Sequence, residues 1–200
     1  MLLTFQPKLV TANNNPDKHI YANEQRISKE TTSQYYENFF RYKHPIITPI
    51  NMTHLHIFIS NYFTYHINIS KSLYKNQKDI FSSKCIPNLT PFQFISRIIK
   101  YTQIETSSLI SAFFYILKLL KRNNMVITNN NSYNLLLVAC VISIKFNEDV
   151  KCDNNYYAQI GGLKTEMFNK FEYEFCVLIN FELFINDRQF EFFVNELFES

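Results

Sequence analysis

From residue 87 onward, apolar side chains recur at helical spacing in blocks separated by polar breaks. Thr90-Pro91 is a helix-start signal, because proline fits the first turn, where its missing N–H is not needed. Phe94, Ile95, Ile98, Ile99 and Thr102 then share one helical face. A second helix is expected over about 107–122, where Leu109, Ala112, Phe113, Ile116 and Leu120 repeat at helical spacing. Ile110, Phe114 and Leu119 make it apolar nearly all round, the mark of a buried helix. A third is expected over about 132–147, with no charged residue from Tyr133 to Ile144. Its β-branched residues also fit a strand, but its length and helical neighbours favour a central helix. A fourth is expected over about 164–180, with Phe168, Phe171, Phe175 and Ile179 in one stripe. A fifth starts at Asn186, where Gln189 completes a capping box, and turns Phe190, Phe193, Val194 and Leu197 to one side.

The upstream pattern is weaker. His44-Pro45 and Thr48-Pro49 punctuate the chain, since proline restrains its predecessor from helix. They divide an extension at 1–50, partly helical around 34–42, from a domain at 51–200. A helix is expected over about 51–71, and the core of the domain over about 91–198. The pattern predicts an all-α bundle in which outer helices wrap a buried central pair.

Composition narrows the function. Hydrophobic residues make up 46% and charged residues 18%, which places the chain among globular proteins. The Asn runs at 13–15 and 129–131 read as codon drift in loops. A net charge of +3 is too mild for a nucleic-acid surface. Lys118, Lys121 and Arg122 sit at a helix end, where cations favour the dipole. Residues 52–69 lack Asp, Glu, Lys and Arg, yet their Thr, His, Ser and Asn side chains argue against a membrane span. The four cysteines form no CxxC pair, so zinc spacing is absent and reduced thiols in the nucleus or cytoplasm are expected. His54 and His56, two residues apart, face different sides of a helix and cannot share a metal there. Gly161-Gly162, the only glycines, fit a tight turn rather than a phosphate cradle, as neither GxGxxG nor GxxxxGK[ST] is present. No catalytic constellation, cofactor site or small-molecule substrate site is expected.

Two charges stand in apolar places. Lys145 ends the charge-free third helix, and Glu172 lies one turn from Phe168 on the aromatic side of the fourth. An unpaired buried charge is costly, so each either reaches water or anchors a partner.

The residues around them resemble the P-type (U-type) cyclins. The resemblance rests on Lys145-Phe146-Asn147-Glu148-Asp149, Asp153-Asn154-Asn155-Tyr156-Tyr157-Ala158 and Gly161-Gly162-Leu163, followed by Glu166, Asn169, Phe171-Glu172 and Phe175. Phe94-Ile95-Ser96-Arg97-Ile98-Ile99-Lys100-Tyr101 resembles the family's first box helix. The resemblance covers about 52–198 and implies a single five-helix cyclin box with a preceding helix. It implies a non-enzymatic regulator that packs against the αC helix of a cyclin-dependent kinase and activates it. By motif position it assigns Lys145 and Glu172 to kinase binding, and the apolar surface around these two anchors adds Phe146, Phe168 and Phe175. Arg97, Tyr156, Tyr157, Gly161 and Gly162 take structural roles, Phe146 also serving in packing. The alternative is a cyclin-fold scaffold that binds a partner without activating it. Two departures stand out. Cyclin boxes carry Asp-Arg on the second helix, where this chain has Leu117-Lys118, which leaves Arg97 to find Glu105 or water. Asp153 stands where the family has Asn.

Overall fold

The computed structural model describes residues 51–73, 79–83, 86–149 and 151–198, which form helices and no strand. Two compact units are distinguished, Thr48–Ile185 and a second to which Asn186–Ser200 belongs.

The first unit holds six described helices. They are α1 (Met52–Leu73), α2 (Pro91–Thr102), α3 (Thr106–Asn123), α4 (Ser132–Asn147), α5 (Asn154–Gly161) and α6 (Thr165–Leu178). The α4 helix is the axis. Every residue from Ser132 to Ile144 is buried, as a run without charge requires. It packs on α3, α6, α2 and α5. Ser143 donates to the Ser108 carbonyl at 2.7 Å, satisfying a hydroxyl inside the α3–α4 interface. The α1 helix buries Leu55, Ile59, Phe63 and Ile67 at four-residue spacing and packs on α2. Among the described residues no helix is long and apolar enough to cross a membrane.

Local signals act where the sequence places them. Thr90 caps α2 by accepting from Gln93 N at 3.2 Å, and the Gln93 carboxamide returns the bond to Thr90 N at 2.9 Å. Buried Asn131 at the start of α4 donates to Asp79 and the Val126 carbonyl and accepts from Thr128 N. Through Asp79 it fixes the segment that lays Phe81 against Phe171 and Phe175.

Between α4 and α6, where only the tight turn at Gly161-Gly162 is expected, α5 intervenes as a further helix. Asp153 accepts from Tyr156 N at 2.8 Å and starts a full helix, which ends at Gly162 with φ +66°. Gly161 is needed for another reason. A Cβ there would fall 2.4 Å from Leu137 Cδ2, so its missing side chain lets α5 approach α4. Eight residues with only Tyr157, Ala158 and Ile160 buried carry too little periodicity to announce a helix.

The second unit is described by α7 (Asp187–Phe198). Its capping box is present, with Gln189 N donating to Asn186 at 2.9 Å and the Gln189 carboxamide accepting from Asn186 N at 3.2 Å. Phe193, Val194 and Leu197 are buried and Phe190 is half-buried.

Candidate functional site: a paired lysine and glutamate between two helices

The two out-of-place charges find each other. Lys145 lies in the last turn of α4, beyond the buried run, and Glu172 lies mid-way along α6. Lys145 Nζ stands 2.5 Å from Glu172 Oε1, with side-chain exposures of 31% and 19%. Asn154, the first residue of α5, accepts from Lys145 Nζ at 2.5 Å through Oδ1. Its Nδ2 donates to Glu172 Oε2 at 2.8 Å and to Asn169 Oδ1 at 2.7 Å. Each charge therefore has charge-assisted partners and also reaches the surface, so neither is stranded. One turn beyond Glu172 on α6, burial raises the Cys176 thiol pKa, and Glu172 raises it further while Lys145 lowers it. The net shift favours the neutral thiol.

The aromatic residues divide differently from expectation. Phe168 and Phe175 are each 0% exposed and pack in the core, Phe168 against Tyr157 and Phe175 against Phe81. Neither has surface to offer a partner, so their assignment to a contact face is corrected to a structural one. Phe146 is 48% exposed, because it follows the point where α4 leaves the core; it is a surface residue and not a packing one. Exposed apolar groups that the sequence pattern does not single out continue along α6 and past it. These are Tyr173 and Val177, then Phe181 (61%) and Phe184 (77%). A Tyr–Val spacing of four beside the Phe stripe is the signal for the first two. The last two lie in the turn after α6, which carries no period.

That turn is built. Asn180 and Phe181 both have positive φ, 56° and 55°, a conformation that costs a side-chain-bearing residue energy. The α3 helix holds it in place. Tyr115 donates to the Leu183 carbonyl at 2.7 Å, Lys118 donates to the Glu182 carbonyl at 2.9 Å, and Asn123 reaches the Leu178 carbonyl at 3.3 Å. Lys118 and Arg122 both pair with the Glu182 carboxylate, at 2.8 and 3.1 Å, and hold its pKa below the ordinary value.

Among the described residues no group of three or more His, Cys, Asp or Glu is arranged to hold a metal ion. The cyclin sequence profile matches residues 1–183. Cyclin-U2-2 of Arabidopsis thaliana is 31% identical over 158 residues, which cover 76% of this chain and 69% of that protein.

The chain belongs to the cyclin family.

Other relatives place it with the P and U types. Cyclin-U2-1 of Arabidopsis thaliana is 34% identical over 56% of the chain and 51% of its own length. The PHO85 cyclin-like protein psl1 of Schizosaccharomyces pombe is 29% identical over 60% of the chain and 50% of its own length. The chain thus spans 69% of Cyclin-U2-2 and about half the length of the other two. Cyclins are regulators, and a regulatory role comes with membership.

Against the cyclin pattern, both departures have a physical resolution. Arg97 pairs with neither Glu105 nor an aspartate on α3. Its Nε donates to the Ile160 carbonyl at 2.7 Å, near the C-terminus of α5, and its guanidinium lies 5.5 Å from the Tyr101 ring centroid. A cation is favourable at that helix end. Tyr156 adds a second tie from α5 to α2, donating to the Tyr101 carbonyl at 2.7 Å. Glu105 N instead donates to Glu148 at 3.0 Å. Leu117 is half-buried, and Lys118 beside it serves the turn after α6. Asp153 caps α5 as asparagine would, since both supply the acceptor oxygen.

Proposed function

We propose that this cyclin binds a cyclin-dependent protein kinase and activates it by packing against the kinase αC helix. The observation that carries the proposal is the Lys145–Glu172 pair, held at the surface where the last turn of the apolar α4 helix meets α6. Exposed Phe146 follows Lys145, and exposed Tyr173 and Val177 follow Glu172. Apolar groups around a satisfied polar pair fit a protein interface, where the rim contributes contact area and the polar groups set register. The name of the relative psl1, a PHO85 cyclin-like protein, supports the same kind of partner. Lys145, Glu172 and Phe146 make the contact, and Phe168 and Phe175 support α6 from beneath. Arg97, Tyr156, Tyr157, Gly161 and Gly162 fix the angle of α5 between α2, α4 and α6.

A second reading is a cyclin-fold scaffold that binds without activating, favoured by Leu117 at the position of the usual aspartate. Copurification with a panel of cyclin-dependent kinases, followed by an assay of substrate phosphorylation, separates the two. Activation requires both a stable complex and a raised rate; a stable complex at the basal rate selects the scaffold.

A further inference from the structure

Asn154 bonds to both charges of the site, and its chemistry is hard to replace. Its carbonyl oxygen accepts from the Lys145 ammonium while its amide nitrogen donates to the Glu172 carboxylate and to Asn169. A carboxamide carries an acceptor oxygen and two N–H donors on separate atoms, so one short side chain serves the cation, the anion and Asn169 at once. An aspartate would place a second carboxylate beside Glu172, and an alanine would leave both charges one partner short. The residue is also well anchored. Asp153 caps α5 directly before it, and Arg97 and Tyr156 tie the same helix to α2.

Valence counts sharpen this. Lys145 has three N–H groups, of which Asn154 and Glu172 take two. Each Glu172 oxygen takes one of these bonds and retains a further lone pair. A partner's backbone carbonyl or N–H can therefore join the network while the pair stays closed.

We infer that Asn154 is a positioning residue that assembles Lys145 and Glu172 into one preformed anchor, to which the kinase docks without opening the pair. The inference rests on the kinase-binding reading above. Preformed geometry lowers the ordering cost of binding, so loss of Asn154 weakens association even though Asn154 itself need not touch the kinase.

The test uses the full chain as wild type, N154A, N154D and the exchange variant N154D/E172Q. In the exchange variant the introduced glutamine amide donates to the introduced carboxylate on α5, so the bonds among positions 145, 154 and 172 survive with the negative charge moved from one helix to the other, and Asn169 turns its amide to donate. Kinase affinity is measured by titration. The Lys145 side-chain ammonium is followed by nitrogen NMR without kinase, since a held ammonium exchanges its protons slowly. N154A and N154D are expected to bind about ten-fold more weakly, the loss typical of a charge-assisted bond. N154A should lose the Lys145 signal while keeping helical circular dichroism, whereas N154D keeps an acceptor for Lys145 but sets a second carboxylate against Glu172, and N154D/E172Q should recover most of the affinity. Equal weakening in N154D and N154D/E172Q, or a Lys145 signal unchanged in N154A, overturns the inference. If wild type binds no kinase, the proposed function falls instead, and the ammonium signal still decides whether Asn154 holds the pair.

Discussion

At the scale of single residues, the site turns on charges that are tolerated only because each has partners. Lys145 and Glu172 lose solvation where α4 and α6 meet, and the ion pair with Asn154 compensates. Lys145→Ala removes the cation and leaves Glu172 with Asn154 alone. Kinase affinity is expected to fall by about 2 kcal/mol or more in either single alanine variant, as for a hydrogen-bonded interface charge. Isothermal titration checks this, and an unchanged affinity would remove both residues from the contact. Gly162 is a residue-scale constraint of another kind. Its φ of +66° disfavours any Cβ, although nothing stands within 4 Å of where one would lie. Gly162→Ala is expected to lower unfolding free energy by about 1 kcal/mol in denaturant titration, a strain cost without a clash.

Elements depend on their ends as much as on their faces. The short α5 helix carries the anchor's central asparagine, and its start rests on Asp153. Asp153→Ala is expected to cost about 1 kcal/mol in stability and Asp153→Asn almost nothing, because both native and asparagine caps offer the same acceptor. Thermal melts of the two variants test it, and equal losses would show that the charge rather than the acceptor matters. The legibility of the sequence follows the same division. The long helices are readable because their apolar spacing is strong, and the starts of α2 and α7 because Thr90-Pro91 and Asn186/Gln189 are local signals. The α5 helix is hidden by its length. The spacing of Phe168 and Phe175 misleads because one aromatic stripe cannot serve both core and partner, and here the core takes both. Lys145 and Glu172 are visible as anomalies, but their pairing through Asn154 requires three helices to converge, which no local pattern encodes.

At the scale of the first unit, α3 ties the core to the turn after α6. Tyr115 is fully buried, and burial pushes its phenol up to about 12 from 10.0. A folded-state value above the unfolded one stabilises fully below the unfolded value. That contribution is lost as pH rises from 10 through about 12, because the unfolded chain ionises first. Stability measured by denaturant titration should therefore fall across this window. In Tyr115→Phe the fall should be shallower, from a starting stability reduced by about 1 kcal/mol for the lost bond to Leu183. An identical alkaline slope in both proteins would assign the effect to other groups.

The regulatory claim concerns the chain as a partner. The most direct measurement is the rate of substrate phosphorylation by a cyclin-dependent kinase, alone, with the wild-type chain, and with K145A/E172A. The expected result is a rate raised by the wild-type chain and returned toward the basal value by the double variant, which keeps its helical content. A wild-type chain that forms a stable complex at the basal rate, or a double variant that activates as well as wild type, would contradict it.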